Sequence, residues 1–305
     1  MACPSCEYWY PILDEVFVLL PPERSPQALR RPLQPPAELH MQRARLRAFD
    51  MKVAVYGFYA RMAELCRNLD LHRRPLVVDV GCSTGSFAAT LRPEQTYIGF
   101  DISFRSLAFA RRATGHWFVQ ADAERLPIKT GAVPFFVSRE VLEHLNDPIA
   151  GAAELRRVGR EGVIVTPTLD FPFLYDPLNY VLIRRGRHLK FGIYGYDHRV
   201  LYGIAGWRDI LLRAGLEVRR EQRVGTGLAL NALDVVFHAV YSWREFDSLP
   251  RGGVPAIAAR PLFAAYEAFH RLDGRLYGER TVSHAFEVVP AATTSGFARG
   301  ACAPA

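Results

Sequence analysis

The sequence predicts an α/β protein built on a mostly parallel sheet with helices on both faces. Three observations carry that prediction. Between residues 75 and 168, short apolar runs alternate with amphipathic segments, the rhythm of βαβ units. The runs are apolar throughout rather than alternating with polar residues, as strands buried on both faces are. The first run also breaks into small residues and glycines, "VVDVGCSTGSF" over 77–87.

Taken in order, "YWYPILDEVFVLL" near the start reads as a short β segment after a Cys-x-x-Cys turn. "PPERSPQALRRPLQPP" contains six prolines and reads as a semi-rigid linker. From Glu38 to about Leu71, apolar residues recur at helical spacing. The alternation then begins. "PLVVDVG", "TYIGFDIS", "HWFVQAD", "VPFFVS" and "GVIVTPT" are the strands, and "SFAATLR", "SLAFARRAT" and "DPIAGAAELRRVG" the helices between them. Beyond Thr168 the aromatic-rich stretch to Tyr202 reads as a loop of the kind that lies over a ligand site. "GWRDILLRAG" is a helix closed by Gly215, "LEVRREQRV" a strand, 228–245 and 256–278 two further helices, and "SHAFEVVPA" a last strand.

The 305 residues are half apolar and carry a net charge of +7, ordinary composition for a folded globular chain. The positive charge is almost all Arg and is dispersed, so it is weak evidence for nucleic acid. No apolar run reaches the length of about 18 residues that a membrane span needs. The start lacks a basic region followed by an apolar core, so no signal peptide is expected and a cytoplasmic placement is. Cys3 and Cys6 form a pair, while Cys66, Cys82 and Cys302 are scattered, which is no disulfide framework.

In an open parallel sheet, ligands bind beyond the carboxyl ends of the strands, where strand order reverses. "VVDVGCSTGSF" is therefore either a tight turn or one wall of a pocket. Gly81 and Gly85 allow close backbone approach. Their spacing fits neither Gly-x-Gly-x-x-Gly nor a phosphate loop ending in Lys-Ser/Thr, which disfavours a pyrophosphate ligand. Asp101 ends the second strand, placed to accept from both hydroxyls of a ribose. Asp122 ends the third, where a carboxylate accepts from an exocyclic amine such as adenine's. Asp79, inside the first strand, faces a cationic group or orients the glycine loop. Singly each is a common cap or turn residue. Three at successive strand ends form a nucleoside site.

This ordered set resembles the class I S-adenosylmethionine-dependent methyltransferases, in the branch similar to ubiquinone/menaquinone-biosynthesis enzymes. The likeness covers about residues 47–223 and also includes "SREVLEHLNDP" and "RVLYGIAGWRDILLRAGLEV". It implies a Rossmann-like sheet of seven mostly parallel strands with helices on both faces. A small N-terminal β appendage and a helical insertion before the last strand would be added to it. It implies S-adenosyl-L-methionine as cofactor, held by Asp79, Gly81, Cys82, Gly85, Asp101, Ile102, Asp122, Ala123 and Glu140. Tyr56 and Arg199 fall on the substrate side, and His198, Glu140 and His144 are the candidates for a general base. Two departures stand out: Ser83 where relatives often carry Gly, and Val133-Pro134 where Phe-Asp is usual.

"CPSCEYWYPILDEVFVLLP" resembles the second half of the small zinc-ribbon domains typified by the tRNA-methyltransferase activator subunit. A structural zinc takes four ligands, and Cys3 with Cys6 supplies half of them, so no bound metal is expected. Either the first knuckle is lost or the true start lies upstream.

The expected organisation is a degenerate half zinc ribbon (1–20), a Pro-rich linker (21–37), a methyltransferase domain (38–291) with a helical insertion (228–278), and a disordered tail (292–305). The expected activity is methyl transfer to oxygen or carbon of a small-molecule or lipid-linked acceptor. The apolar insertion is either a buried helix or a lid with peripheral membrane contact. The alternatives are an RNA methyltransferase and a non-catalytic binding protein that retains the fold.

Overall fold

The computed structural model describes residues 10–20, 65–66, 69–173, 175–188, 198–224, 268, 271–272, 274–278 and 280–291. The Pro-rich stretch 21–37, the helical pattern over 38–64, the segment 228–267 and the tail 292–305 lie outside the described residues.

Among the described residues, nine strands form one sheet: β1 (Ile12–Leu13), β2 (Val16–Val18), β3 (Leu76–Val80), β4 (Thr96–Asp101), β5 (Trp117–Gln120), β6 (Phe136–Arg139), β7 (Gly162–Pro167), β8 (Leu216–Arg223) and β9 (Ser283–Pro290). Their order is β1-β2-β5-β4-β3-β6-β7-β9-β8. β3 to β7 run parallel, and β9 is inserted antiparallel between β7 and β8. The chain builds outward from β3 to β4 and β5, then crosses back to β6 on β3's other side. The switch point thus lies between β3 and β6, and a ligand crevice belongs at their carboxyl ends.

Successive residues of a strand face opposite sides, so an all-apolar strand feeds two cores. Val77, Tyr97, Phe118 and Val137 pack on one face with Phe87 and with Leu107 and Ala110 of α1 (Phe104–Thr114). Val78, Val80, Phe136 and Ile164 pack on the other with Leu155 of α2 (Pro148–Val158) and Trp207 of α4 (Ile204–Arg213). Trp207 buries its ring completely and satisfies its indole N–H on the Pro167 carbonyl at 2.7 Å. Asp147 caps α2 by accepting from the Ile149 and Ala150 amides, with Pro148 at the first turn, where its missing N–H costs nothing.

Three elements differ from the sequence reading. The β segment near the start, expected as a separate appendage, is a hairpin whose second strand pairs parallel with β5, so it extends the seven expected strands into one continuous sheet. "SFAATLR" forms only a 3-10 turn over Ser86–Thr90, entered from left-handed Gly85 without a side-chain cap. Pro93 follows two residues after the turn's cap and biases Arg92 against helix. The aromatic-rich stretch after Thr168 contains a short helix, α3 (Pro177–Ile183), capped by Asp176 accepting from the Asn179 amide.

Candidate functional site

The turn after β3 is a chain of left-handed residues: Gly81 at φ 80°, Ser83 at φ 49° and Gly85 at φ 69°. Gly81 is required on two counts, since a Cβ there would also lie 2.1 Å from Val141 Cγ2. Its amide and that of Cys82 both donate to the Phe100 carbonyl, tying the turn to the end of β4. Ser83 holds its uncommon conformation through its amide, which donates to Asp101 Oδ2 at 2.8 Å. The Cys82 side chain points into the core, where a Cβ on Gly99 would meet its sulfur at 2.7 Å. Burial, with the charges of Asp101 and Asp79, pushes that thiol well above its usual range, so Cys82 contributes backbone rather than a nucleophile.

Asp79 is completely buried beneath this turn. Tyr97 donates its hydroxyl to Oδ2 at 2.8 Å, and the buried Arg139 guanidinium lies 3.5 Å from the same oxygen. Arg139 also stacks over the Phe87 ring at 4.7 Å. Burial holds the Asp79 carboxyl above the ordinary Asp range against the pull of Arg139 and Tyr97. Its Oδ1 is buried with no donor among the described residues.

Asp101 closes β4 with both oxygens engaged, Oδ2 by the Ser83 amide and Oδ1 by the Ser103 amide at 2.8 Å. Burial raises its carboxyl, and the two amides oppose that rise. A carboxylate has about four acceptor positions, so these bonds leave capacity on each oxygen. The next side chain, Ile102, is half exposed at 51% beside this carboxylate. Asp122 caps the turn after β5 by accepting from the Glu124 amide at 3.0 Å, and Ala123 packs partly into the core. That loop is fixed to α2: the Leu126 amide donates to Glu154, and Arg157 donates to the Leu126 and Ile128 carbonyls.

At the end of β6, Glu140 adopts φ 55° and donates its amide to the Val165 carbonyl. A 3-10 turn over Leu142–His144 follows. The Glu143 carbonyl accepts from the Arg199 and Val200 amides at 2.8 and 3.2 Å, which docks the segment from the aromatic-rich loop onto this turn. The His144 and His198 rings consequently lie 5.0 Å apart. Sequence reasoning singled out His144, His198 and Glu140; the fold brings the two histidines together and adds Glu143 between them. Glu143 is completely buried, and burial together with the neighbouring Glu140 charge raises its carboxyl well above the Glu range. The Arg199 side chain is exposed at this edge.

Tyr56, Cys3 and Cys6 lie outside the described residues. Three participants escaped sequence reasoning: Arg139, Tyr97 and Glu143. The signals were an arginine ending the apolar run "PFFVS" and a second carboxylate three residues after Glu140. A shallow depression of about 390 Å³ lined by Leu69, Asp70, Arg74, Arg219, Arg220 and Glu287 lies on the approach to the amino end of β3, away from these groups.

Residues 78–166, under a third of the chain, match a family model described as a methyltransferase domain. Among curated proteins, the chain is 32% identical over 122 residues to an uncharacterized 37.1 kDa protein of transposon TN4556 in Streptomyces fradiae, covering 35% of each. It is 33% identical over 89 residues to a malonyl-[acyl-carrier protein] O-methyltransferase of Legionella pneumophila, covering 27% of this chain and 31% of that one. The matches thus span about a third of the length of these relatives. Among solved structures, the [4+2]-cyclase SpnF overlays with a TM-score of 0.49 at 17% identity, covering 76% of this chain and 80% of that one.

Proposed function

We propose that this chain, whose residues 78–166 match a methyltransferase domain, moves a methyl group from S-adenosyl-L-methionine to a small-molecule or lipid-linked acceptor. Oxygen is the favoured accepting atom, in keeping with the name of the Legionella relative. The carrying observation is Asp101, which braces the glycine turn through Ser83 and keeps acceptor capacity beside an exposed Ile102.

The residues present fit the cofactor. In this reading Asp101 holds the ribose hydroxyls, Ile102 lies against a face of the adenine, and Asp122 with Ala123 reads its edge. The turn from Gly81 to Gly85 lies along the amino-acid portion, with Asp79 Oδ1 the buried acceptor beneath it. Gly85 opens into a five-residue 3-10 turn rather than an α-helix, so the helix N-terminus that a pyrophosphate would use is not built here. The cofactor supplies an electrophilic methyl on a sulfonium. When it is bound, its methyl would pass to the acceptor atom, with the C–S electron pair left on sulfur. The chain's task is alignment and exclusion of water. If the acceptor is a hydroxyl, its proton must leave, and Glu140, His144 and His198 are the groups at this edge.

Asp101→Asn tests the reading. The amide presents a donor where the carboxylate accepted, so about 1.5–3 kcal/mol of hydrogen bonding to a charged group is lost. Calorimetry should show cofactor affinity falling roughly 10–150-fold in folded protein. Unchanged affinity would remove Asp101 from the site.

A further inference from the structure

We propose that Glu143, His144 and His198 form a binding site for one divalent transition-metal cation at the carboxyl end of β6. One ligand atom from each of the three lies within 4.8 Å of the others. The second observation is Glu143 itself. Its side chain is fully buried, and neither carboxylate oxygen accepts a hydrogen bond among the described residues. His144 brings Nε2 to 3.8 Å from Oε1, and Glu140 adds a second negative charge nearby. A buried carboxylate is retained when a cation or a proton compensates it. Two imidazoles beside it are suited to a cation.

The scaffold is firm where it needs to be. The backbone bonds from Arg199 and Val200 to the Glu143 carbonyl hold His198 against the turn carrying the other two ligands. Metal–nitrogen bonds of about 2.0–2.1 Å place tetrahedral ligands about 3.3 Å apart, so closure of an ångström or so assembles the site. Two nitrogens and one carboxylate oxygen favour Zn²⁺, Mn²⁺, Fe²⁺ or Co²⁺ over Mg²⁺ or Ca²⁺, which prefer all-oxygen shells. Three protein ligands leave at least one position open. On the methyl-transfer reading proposed above, that position takes an oxygen of the acceptor, orienting it and lowering its hydroxyl pKa, and of the groups at this edge Glu140, which is not a ligand, is the one left to take the proton. The acceptor class is then a molecule presenting a metal-binding oxygen. This proposal departs from the expectation that the chain binds no metal.

The test is metal binding by the full-length chain, stripped with chelator and titrated with Co²⁺ and Zn²⁺. We expect one equivalent of Co²⁺ bound with visible d–d bands and no thiolate charge-transfer band. Glu143→Gln, His144→Ala and His198→Ala should each weaken it by more than about tenfold, the loss that even an outer-sphere partner produces. His188→Gln and the double variant Cys3→Ser/Cys6→Ser should leave it intact. No binding by folded stripped protein would overturn the site and leave Glu143 compensated by a proton shared with His144. Binding that survives both Glu143→Gln and His198→Ala would overturn it too. S-adenosyl-L-methionine titrated into the same stripped protein reports separately on the cofactor reading, which stands if the cofactor binds without metal.

Discussion

Replacing Gly81 by Ala separates two costs that the structure places on one residue. The first is conformational: φ 80° is a backbone state that costs a residue with a Cβ about 1–2 kcal/mol. The second is steric: the new methyl would sit 2.1 Å from Val141 Cγ2 and 3.1 Å from Cγ1. Val is β-branched and stiff at χ1, so it yields only by a strained rotamer or a backbone shift, an overpacking cost of about 1–3 kcal/mol. Against these, Ala narrows the unfolded ensemble by about 0.4–1 kcal/mol relative to Gly. The net destabilisation is roughly 1–4.6 kcal/mol on those figures. Urea unfolding of Gly81→Ala, Val141→Ala and the double variant measures both parts. The double variant should recover the steric part, a coupling of about 1–3 kcal/mol, and retain the conformational part. Additivity within about 0.5 kcal/mol would refute the contact. A neutral Gly81→Ala would refute the turn geometry altogether.

Other expectations follow from neighbouring contacts. Arg139→Ala leaves Asp79 buried with Tyr97 as its donor, and breaking such a pair from one side costs about 3–5 kcal/mol. Asp79→Asn combined with Arg139→Met, which removes both charges, should recover part of that loss in denaturant midpoints. Further from the site, Arg208 together with His284 holds the Glu221 carboxyl below its ordinary range, joining α4 to the β8–β9 pair. A depressed carboxylate contributes stability above its unfolded value near 4.5, and that contribution disappears as pH falls through the folded value. Arg208 is half exposed, so screening limits the contribution to under about 1 kcal/mol. Arg208→Ala should therefore lower Tm slightly at pH 7 and not at pH 3; an equal loss at both would show that packing, not charge, is what Arg208 provides.

The sheet was legible because its strands are buried on both faces, which leaves unbroken apolar runs such as Val77–Val78 that neither a surface helix nor a surface strand produces. Asp101 was legible for a related reason: a carboxylate ending such a run has nowhere to go but the strand's carboxyl end. The hairpin's place beside β5 was not legible, because pairing is a backbone property and β2 carries no register signal in its three residues. "SFAATLR" has helical composition, and only its entry through left-handed Gly85 and the proline beyond reveal why it stops as a 3-10 turn. Glu143 was obscured by its neighbours: in "EVLEHL" it reads as one of two ordinary turn carboxylates. Its burial accompanies the docking of Arg199 and Val200 on its carbonyl, a contact across more than fifty residues that no local pattern carries. Nothing in the structure explains why Ser83 is serine rather than glycine. Its amide donates to Asp101 in a conformation Gly would adopt without strain.

The central claim is that the turn after β3, with Asp101 and Ile102, forms a pocket for a nucleoside carrying no phosphates. Calorimetric titration of the full-length chain with S-adenosyl-L-methionine tests it most directly, with S-adenosyl-L-homocysteine as competitor and ATP and NAD as controls. One saturable site is expected, displaced by S-adenosyl-L-homocysteine and indifferent to both pyrophosphate nucleotides. Folded protein that binds ATP or NAD in that competition, or that gives no heat with S-adenosyl-L-methionine, would contradict it.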